Sequence, residues 1–311
     1  MENHTLDAII VGAGPAGLTA AIYLGRFRRS CVVLADGHSR ARWIPTSHNI
    51  PGFSAGVGGR EFLSLLKEQA LKYGAKIRHT RVSSLTIKNG IFELRTNETT
   101  LYARHVLLAT GVQDHLPGIR GASEAVARGL LRVCPICDAF EAIDKRIAVI
   151  GDGALGEREA EFLKTYSKQV TLLQTGTPPL ADPSSSSDIE RIGVQLSDLR
   201  IEEDRVTLNS AQGIRNFDVV YLALGCSPQH DLARSLLARC DEHEALKVNE
   251  HQETSVPGLY AAGDVVRGLN QVIVAAAESA IAATDIHNKL RHKMPTSALP
   301  DSASRDLAMD A

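Results

Sequence analysis

Apolar and polar positions along this chain follow a recurring order of strand, glycine turn, helix and strand. Residues 8–11 form a short apolar run that ends in Gly12-Ala13-Gly14-Pro15-Ala16-Gly17, and a helical pattern follows to about Arg26. A second apolar run, residues 32–35, ends at Asp36. Short apolar runs bounded by turn residues are typical of strands buried in a parallel sheet. The segment therefore predicts the opening of a dinucleotide-binding α/β unit.

The following 70 or so residues continue this unit. Residues 60–73 have the spacing of an amphipathic helix, and residues 82–102 read as a short β-meander with turns at Asn89-Gly90 and Asn97. Another buried run at 106–108 ends in Ala109-Thr110-Gly111, and we expect it to close the unit.

A second copy of the pattern begins near residue 146. Residues 146–150 are strand-like, Gly151-Asp152-Gly153-Ala154-Leu155-Gly156 is a second glycine turn, and residues 157–166 have helical spacing. Strand-like runs follow at 170–173 and 219–225, and Leu-Ala-Thr-Gly and Leu-Ala-Leu-Gly occupy equivalent places in the two copies. This self-similarity indicates an internal duplication. The Pro/Ser-rich stretch at 178–187 predicts an exposed loop.

The chain after residue 225 does not begin a third unit, since it offers one strand-like run up to Asp264 and one long helical pattern near 271–290. These elements need a sheet to join, and the first unit is the natural host. We therefore predict an α/β fold of two Rossmann-like, three-layer dinucleotide-binding domains, the smaller inserted into the larger. The larger would comprise residues 1–117 and 246–292, the smaller residues 118–245, and residues 293–311 a disordered tail.

Composition narrows the classes of function. A net charge of -2 gives no reason to expect nucleic acid or an anionic membrane as a partner. No apolar run approaches the ~20 residues of a membrane span. The polar N-terminus runs directly into a strand, so we expect no signal peptide and a cytoplasmic protein.

The closely spaced cysteines Cys134 and Cys137 are the strongest chemical signal. A second Cys-x-x-Cys or a nearby Cys/His pair is absent from the sequence, so we expect no metal site. Pro135 suits the first turn of a helix, which would place Cys134 at an exposed helix N-terminus that favours the thiolate. A redox disulfide is the leading interpretation, and incidental thiols are the alternative. Asp138 is a candidate proton donor to a leaving thiolate, or else a surface carboxylate.

The first glycine loop has the features of a pyrophosphate site. Its glycines allow a tight turn and close approach of backbone to phosphate, and the following helix offers free N–H groups. Asp36 lies 19 residues after Gly17, where a carboxylate bonds ribose hydroxyls, although it could instead belong to the turn with Gly37.

Residues 254–265, with Gly263 and Asp264 near their end, resemble the second flavin-binding motif of two-dinucleotide flavoproteins, which favours FAD. With both glycine loops and the cysteine pair in order, residues 6–290 resemble the low-molecular-weight thioredoxin reductases, a class of FAD-dependent pyridine nucleotide-disulfide oxidoreductases. The resemblance implies FAD contacts at Gly12, Ala13, Gly14, Pro15, Ala16, Gly17, Asp36, Asn49, Val82, Ala109, Thr110, Gly111, Gly263, Asp264, Gln271 and Val272.

The resemblance also implies roles for the second domain. Cys137 would face the flavin, Cys134 would attack the disulfide of a thioredoxin-like protein, and Asp138 would be the acid. A pyridine nucleotide would bind at Gly151, Gly153 and Gly156. The family further implies a homodimer whose smaller domain rotates between two positions.

The chain departs from the family at the nucleotide site. Where the family has His-Arg-Arg to hold the 2′-phosphate of NADPH, residues 173–177 read Leu-Gln-Thr-Gly-Thr. Loss of two charge-assisted contacts, about 1.5–3 kcal/mol each, lowers affinity by about 10²–10⁴-fold. Glu157 and Glu159 early in the next helix disfavour a phosphate further. These residues therefore disfavour NADPH bound in the family's usual mode. The alternatives are NADH with a contact to Gln174 and a loop that binds no ligand.

We therefore predict an FAD-dependent disulfide oxidoreductase that passes electrons through Cys134–Cys137 to a protein such as thioredoxin. A first alternative keeps this chemistry but takes electrons from ferredoxin or another donor. A second alternative is a dithiol oxidase acting on a small dithiol. Asp138 argues against it, because such an oxidase is expected to have His at this position. A third is a non-catalytic flavin-binding redox sensor.

Overall fold

The first unit is built on a seven-stranded sheet with helices against it. The structure, a computed structural model, describes residues 5–176, 188–210 and 213–292. The strands and helices of its first part are β1 Leu6–Val11, α1 Pro15–Arg26, β2 Cys31–Ala35, α2 Gly59–Lys72, β3 Lys76–His79, β4 Val82–Lys88, β5 Ile91–Thr96 and β6 Thr100–Leu108. The order along the sheet is β3-β2-β1-β6-β5-β4, with the first four strands parallel.

Alternate residues of β1 enter two different cores. Ala8 and Ile10 pack on the side of α1, whereas Ile9 and Val11 pack on the opposite side, and all four are buried. This period of two follows from the pleat of a strand. Both faces of the sheet are therefore covered, as the continuous apolar run at 8–11 predicts.

Strand β6 differs from the prediction of a meander ending at 102 and a separate strand at 106. The structure has one continuous strand here, and its two halves pair with different strands on the same side. Thr100–Ala103 pairs antiparallel with β5, and Val106–Leu108 pairs parallel with Leu259–Ala261 near the end of the chain. The first unit thus receives its last strand from the C-terminal part, which joins both ends of the chain in one domain.

The second unit repeats the parallel architecture. Its elements are β7 Val112–Asp114, α3 Ala122–Ala127, β8 Leu131–Arg132, α4 Pro135–Asp138, β9 Ile147–Gly151, α5 Gly153–Leu163, β10 Val170–Gln174, β11 Glu190–Gly193, β12 Leu199–Ile201, β13 Val206–Ser210, β14 Gly213–Phe217 and β15 Val219–Ala223. A parallel sheet has the order β11-β10-β9-β15-β8, and β12, β13 and β14 form a separate antiparallel sheet. Helix α5 begins four residues earlier than expected, within the glycine turn. The predicted loop at 178–187 lies outside the described residues.

Two short strands mark where the chain crosses between the units. After β15 the chain forms β16 Cys226–Pro228, α6 Asp231–Arg234, β17 Leu259–Ala261 and α7 Val272–His292. Strand β16 pairs antiparallel with β7. Ala233, Ala238 and Leu246 then pack in the core of the first unit with Leu85. The return to the first unit therefore lies near 228, earlier than the predicted boundary at 245, because apolar residues in α6 and after it cover the first sheet.

The fold class is confirmed: an α/β chain with two Rossmann-type units. The predicted tail at 293–311 lies outside the described residues. Within residues 5–176, 188–210 and 213–292, no helix has the length and apolar character needed to cross a bilayer.

Candidate functional site

The first glycine loop is closed tightly against β6. Gly12 has φ of +111°, and a Cβ there would lie 2.2 Å from the carbonyl oxygen of Ala109. A Cβ on Gly17 would lie 1.9 Å from the carbonyl oxygen of Gly12. Larger residues do not fit at either position, so Gly12 and Gly17 are required by packing as well as by any ligand.

The open side of this loop is the N-terminal end of α1. Gly14 is the N-cap and Pro15 the first helical residue. A Cβ on Gly14 would contact only the hydroxyl of Ser39, at 3.5 Å. A Cβ on Gly263 would lie 3.1 Å from the Cβ of Ala16, which brings the second flavin motif to the same loop. Free helix N–H groups beside a cradle that lacks side chains fit the pyrophosphate of FAD.

Other residues predicted to contact FAD have different local environments. Asp36 follows β2, and its Oδ1 accepts a hydrogen bond from the N–H of His38 at 3.1 Å, so it does belong to a turn. Its second oxygen is compatible with the ribose role. Val82 is buried in the core, so only its backbone could contact a cofactor. The Thr110 hydroxyl donates to the carbonyl of Gln229 at 2.5 Å, and the Gly111 carbonyl accepts from the N–H of Gln229, which ties both residues to the crossing strands.

Arg40 is a site residue that the sequence did not reveal. Its guanidinium donates to both carboxylate oxygens of Asp114 on β7, at 2.6 and 2.8 Å, and lies 3.4 Å from Asp264. Burial raises the pKa of Asp264 above its ordinary value, and the attraction of Arg40 opposes that shift. Arg40 therefore connects a crossing strand to the second flavin motif, a contact between residues too far apart in sequence to be predicted.

The structure joins Cys134 and Cys137 in a disulfide. Cys134 is the N-cap of α4 and Pro135 its first residue, as the sequence predicts. Both cysteines are half-buried, so Cys134 is less exposed than expected. Helix α4 has only four residues, and its partial positive charge is correspondingly small.

One residue predicted to bind FAD, Gln271, lies against this disulfide. The side-chain amide of Gln271 lies 3.5 Å from Cys134 Sγ and 3.3 Å from Cys137 Sγ. Its oxygen accepts a hydrogen bond from Asn49 at 2.9 Å. Val272, the next residue, begins α7. The disulfide of the second unit therefore contacts the segment of the first unit that is predicted to bind FAD.

Asp138 is a half-buried acid rather than a free surface carboxylate. The Tyr221 hydroxyl donates to Oδ1 of Asp138 at 2.9 Å, and Arg132 lies 3.7 Å from the same oxygen. Burial raises the pKa of Asp138 to about 6, and Arg132 and Tyr221 oppose the shift. A carboxyl with a pKa near neutrality is suited to proton transfer. Tyr221 and Arg132 give no signal of this role in the sequence.

The three remaining cysteines have the character of structural thiols. Burial raises the pKa of Cys31 to about 11, and it also raises the pKa values of Cys226 and Cys240. A raised pKa suppresses the reactive thiolate. Among the described residues, no cluster of His, Cys, Asp and Glu could hold a metal ion.

The second glycine loop shares with the first the close approach of its first and third glycines. A Cβ on Gly156 would lie 2.8 Å from the backbone carbon of Gly151, and Gly153 has φ of +56°. Gln174 at the end of β10 is only 1% exposed. A side chain this buried offers little surface for the alternative of a Gln174 contact to NADH.

Asp152, within this loop, occupies the turn after β10 with its carboxylate. It accepts hydrogen bonds from the N–H groups of Thr175 and Gly176, at 3.0 and 3.1 Å, and from the Thr175 hydroxyl at 2.7 Å. In Rossmann units the end of this strand reads the ribose or its 2′-phosphate. Nearby, both oxygens of Glu157 pair with Arg191, at 2.8 and 2.9 Å. The site thus presents a carboxylate where a phosphate would need a cation.

Comparison with known proteins identifies the family to which this chain belongs. The sequence profile of the pyridine nucleotide-disulphide oxidoreductase family matches residues 6–279. Thioredoxin reductase from Treponema pallidum is 30% identical over 301 residues, which cover 89% of this chain and 94% of the relative. Thioredoxin reductase from Aquifex aeolicus is 29% identical over 316 residues, which cover 94% and 95%. The crystal structure of thioredoxin reductase from Streptococcus pyogenes has a TM-score of 0.85 at 24% identity, covers 94% of this chain and 100% of that one, and shows the fold.

The dithiol-oxidase alternative is not favoured by these similarities or by Asp138. The chain belongs to the pyridine nucleotide-disulphide oxidoreductase family and is an FAD-dependent disulfide oxidoreductase similar to the thioredoxin reductases.

Proposed function

We propose that this enzyme reduces the disulfide of a thioredoxin-like protein through the Cys134–Cys137 pair. One observation carries the proposal: the disulfide of the second unit lies within hydrogen-bond distance of Gln271, at the start of the last helix of the first unit. Bound FAD would supply two electrons at this place. The names of the relatives support thioredoxin as the class of acceptor.

Two cysteines and one acid would carry out the reaction. Cys137 receives the electrons, as the family resemblance implies, and its sulfur lies 3.3 Å from the amide of Gln271. Cys134 attacks the disulfide of the partner protein and forms a mixed disulfide, which Cys137 then resolves. Asp138, with its pKa raised to about 6, protonates the sulfur that leaves the partner.

A test of this function has to bypass the question of the electron donor. FAD in the purified enzyme is photoreduced without oxygen, with EDTA as the electron donor. A bacterial thioredoxin disulfide is then added, and its new thiols are counted. Cys134→Ser should abolish thiol formation and retain bound FAD, whereas Cys226→Ser should behave as the wild type. Full turnover by Cys134→Ser would contradict the proposal.

We propose further that NADPH is not the preferred donor. The Asp152 carboxylate on the loop at 175–176 supports this, since it would repel a 2′-phosphate. NADH at Gly151, Gly153 and Gly156, or a ferredoxin, would then reduce FAD. Stopped-flow flavin bleaching by NADPH, NADH and reduced ferredoxin in parallel distinguishes these donors. Fast bleaching by micromolar NADPH would overturn the proposal.

A homodimer, which the family resemblance implies, and a cytoplasmic location, which the polar N-terminus indicates, stay predictions. Light scattering on the purified protein measures the first. Fractionation of cells that express the protein measures the second.

A further inference from the structure

Gln271 stands where the two units meet. Its backbone carbonyl accepts the N–H of Ala275 at 3.0 Å, so it lies at the N-terminal end of α7, a helix of 21 residues. A helix of this length has a partial positive charge at its N-terminus. The side chain of Gln271 reaches from this end towards the second unit.

The Gln271 amide nitrogen contacts both sulfurs of the disulfide. The distances are 3.3 Å to Cys137 Sγ and 3.5 Å to Cys134 Sγ. A primary amide has two N–H donors and no other nitrogen function. One donor is thus available for each sulfur.

A chain of hydrogen bonds supports the orientation of this amide. The Ser47 hydroxyl donates to Oδ1 of Asn49 at 2.8 Å, and Nδ2 of Asn49 donates to Oε1 of Gln271 at 2.9 Å. Ser47 is buried. A flip of the Gln271 amide would turn Oε1 towards the two sulfurs of the disulfide, which have no proton to donate, so the N–H groups stay directed at the sulfurs.

A hydrogen bond at this place has different strengths in the two redox states. Two electrons and one proton open the S–S bond to give one thiolate and one thiol. Hydrogen bonds to a charged acceptor are roughly twice as strong as those between neutral groups. A fixed donor at the sulfurs therefore favours the reduced pair over the disulfide.

We propose that Gln271 is the thiolate-binding group of this enzyme: its side-chain amide holds the negative sulfur of Cys137 when the Cys134–Cys137 bond opens. This inference rests on the proposed function, since it requires that the pair cycles. It assigns Gln271 a role in the redox step in addition to the expected contact with FAD. The Ser47–Asn49 chain acts through Gln271 and has a positioning role.

The test is a redox titration of the cysteine pair in the FAD-loaded enzyme. Wild type, Gln271→Leu, Gln271→Glu and Asn49→Leu are equilibrated in dithiothreitol buffers at pH 7, and thiols are labelled and counted by mass spectrometry. Asn270→Ala is the matched control, since this neighbouring amide lies 3.8 Å from the sulfur of Cys226 instead. FAD content and thermal unfolding show that each variant is folded.

Gln271→Leu should shift the dithiol–disulfide equilibrium about tenfold towards the disulfide, which is about 30 mV. Gln271→Glu should shift it further in the same direction, because a carboxylate repels the thiolate. Asn49→Leu should give a smaller shift of the same sign, and Asn270→Ala none. Thiolate absorbance at 240 nm should titrate at higher pH in Gln271→Leu.

Wild-type potentials in all FAD-loaded variants would overturn the inference and leave the proposed function intact. Failure of the proposed function would look different. The wild-type pair would then not be reduced through FAD, or Cys134→Ser would still reduce the partner protein.

Discussion

The hydroxyl of Tyr221 donates a 2.9 Å hydrogen bond to Oδ1 of Asp138. Tyr221 is fully buried on β15, whereas Asp138 closes the short helix that carries the disulfide. The central sheet of the second unit thus fixes the orientation of an acid next to Cys137. The same contact stabilises the ionised carboxylate, so it limits how far burial can raise the pKa of Asp138.

Asp138→Asn removes the proton donor and should lower the rate of disulfide reduction by about 10²–10⁴-fold, the usual contribution of a general acid. In the wild type, the pKa of about 6 means that the rate falls as pH rises through 6 and the acid loses its proton. The Asn variant should lose this limb of the profile. Rates from pH 5 to 8, with photoreduced FAD and a thioredoxin disulfide, measure the effect. An unchanged profile in Asp138→Asn would exclude Asp138 as the acid.

Tyr221→Phe keeps the acid and removes only its hydrogen bond. Since the Tyr221 hydroxyl lowers the pKa of Asp138, its loss should raise that pKa and move the falling limb above pH 6. The ratio of the rate at pH 7 to the rate at pH 5 should therefore be higher in Tyr221→Phe than in the wild type. A limb that moves to lower pH would contradict the assigned direction.

Phe140 should contribute to docking of the partner protein. It is 72% exposed, two residues after Asp138, and Ile136 between the cysteines is 59% exposed. Large apolar side chains at this exposure, next to a reactive disulfide, suit a protein interface. Phe140→Ala should raise KM for a thioredoxin about tenfold or more and leave the rate with a small aromatic disulfide unchanged.

Ile214→Ala is the matched control for Phe140→Ala. Ile214 is 69% exposed, but it lies on β14 in the separate antiparallel sheet. This variant should have wild-type kinetics with both acceptors. Equal loss with the protein and the small disulfide in Phe140→Ala would point to a disturbed redox helix instead of a docking surface.

The sequence predicts the fold well because its strongest signals are local. The glycine loops at 12–17 and 151–156 are each bounded by a buried strand and a helix, and Pro135 marks the start of α4. These patterns follow from backbone geometry and burial.

Contacts between distant residues could not be predicted in this way. The Arg40–Asp114 pair and the Asp152–Thr175 contact join residues 74 and 23 positions apart. Single charged residues have no periodicity, so their partners appear only in the folded chain. The boundary near 228 was missed for a similar reason: Ala233 and Ala238 are too small and too few to mark a core.

Gly14→Ala should separate cofactor binding from folding at the first loop. A methyl group at Gly14 would make an ordinary contact with Ser39, at 3.5 Å, so the loss of stability should stay below about 1 kcal/mol. The same methyl group would project into the pyrophosphate cradle and should weaken FAD binding at least about tenfold. Fluorescence titration of the apoenzyme with FAD measures this change.

Two further glycine variants are controls for Gly14→Ala. Gly12→Ala should destabilise the fold itself, because its Cβ would lie 2.2 Å from the Ala109 oxygen. Gly118→Ala, where a Cβ has no neighbour within 4 Å, should change neither property. Wild-type FAD affinity in Gly14→Ala would show that the phosphates do not lie at this helix end.

Asp152→Asn should improve binding of NADPH more than binding of NADH. The carboxylate lies on the loop at 175–176, and its removal eliminates repulsion of the 2′-phosphate, a gain of about tenfold in affinity. NADH has no 2′-phosphate and should gain little. Titration calorimetry of the wild type and of Asp152→Asn with both nucleotides gives the four dissociation constants. An equal change for the two nucleotides would show that Asp152 acts only on the shape of the loop.

Glu159→Gln should stabilise the protein more at pH 8 than at pH 5. Burial raises the pKa of Glu159 to about 7, and Oε2 has no hydrogen-bond partner among the described residues. The unfolded chain releases this proton near pH 4.5, whereas the folded chain keeps it up to about pH 7, so the free energy of unfolding falls between these values. With allowance for partial exposure, the gain in Glu159→Gln at pH 8 should be about 1–2 kcal/mol. Urea unfolding at pH 5 and pH 8 measures it, with Glu161→Gln on the exposed side of α5 as the control. A gain that is larger at pH 5 than at pH 8 would contradict this sign.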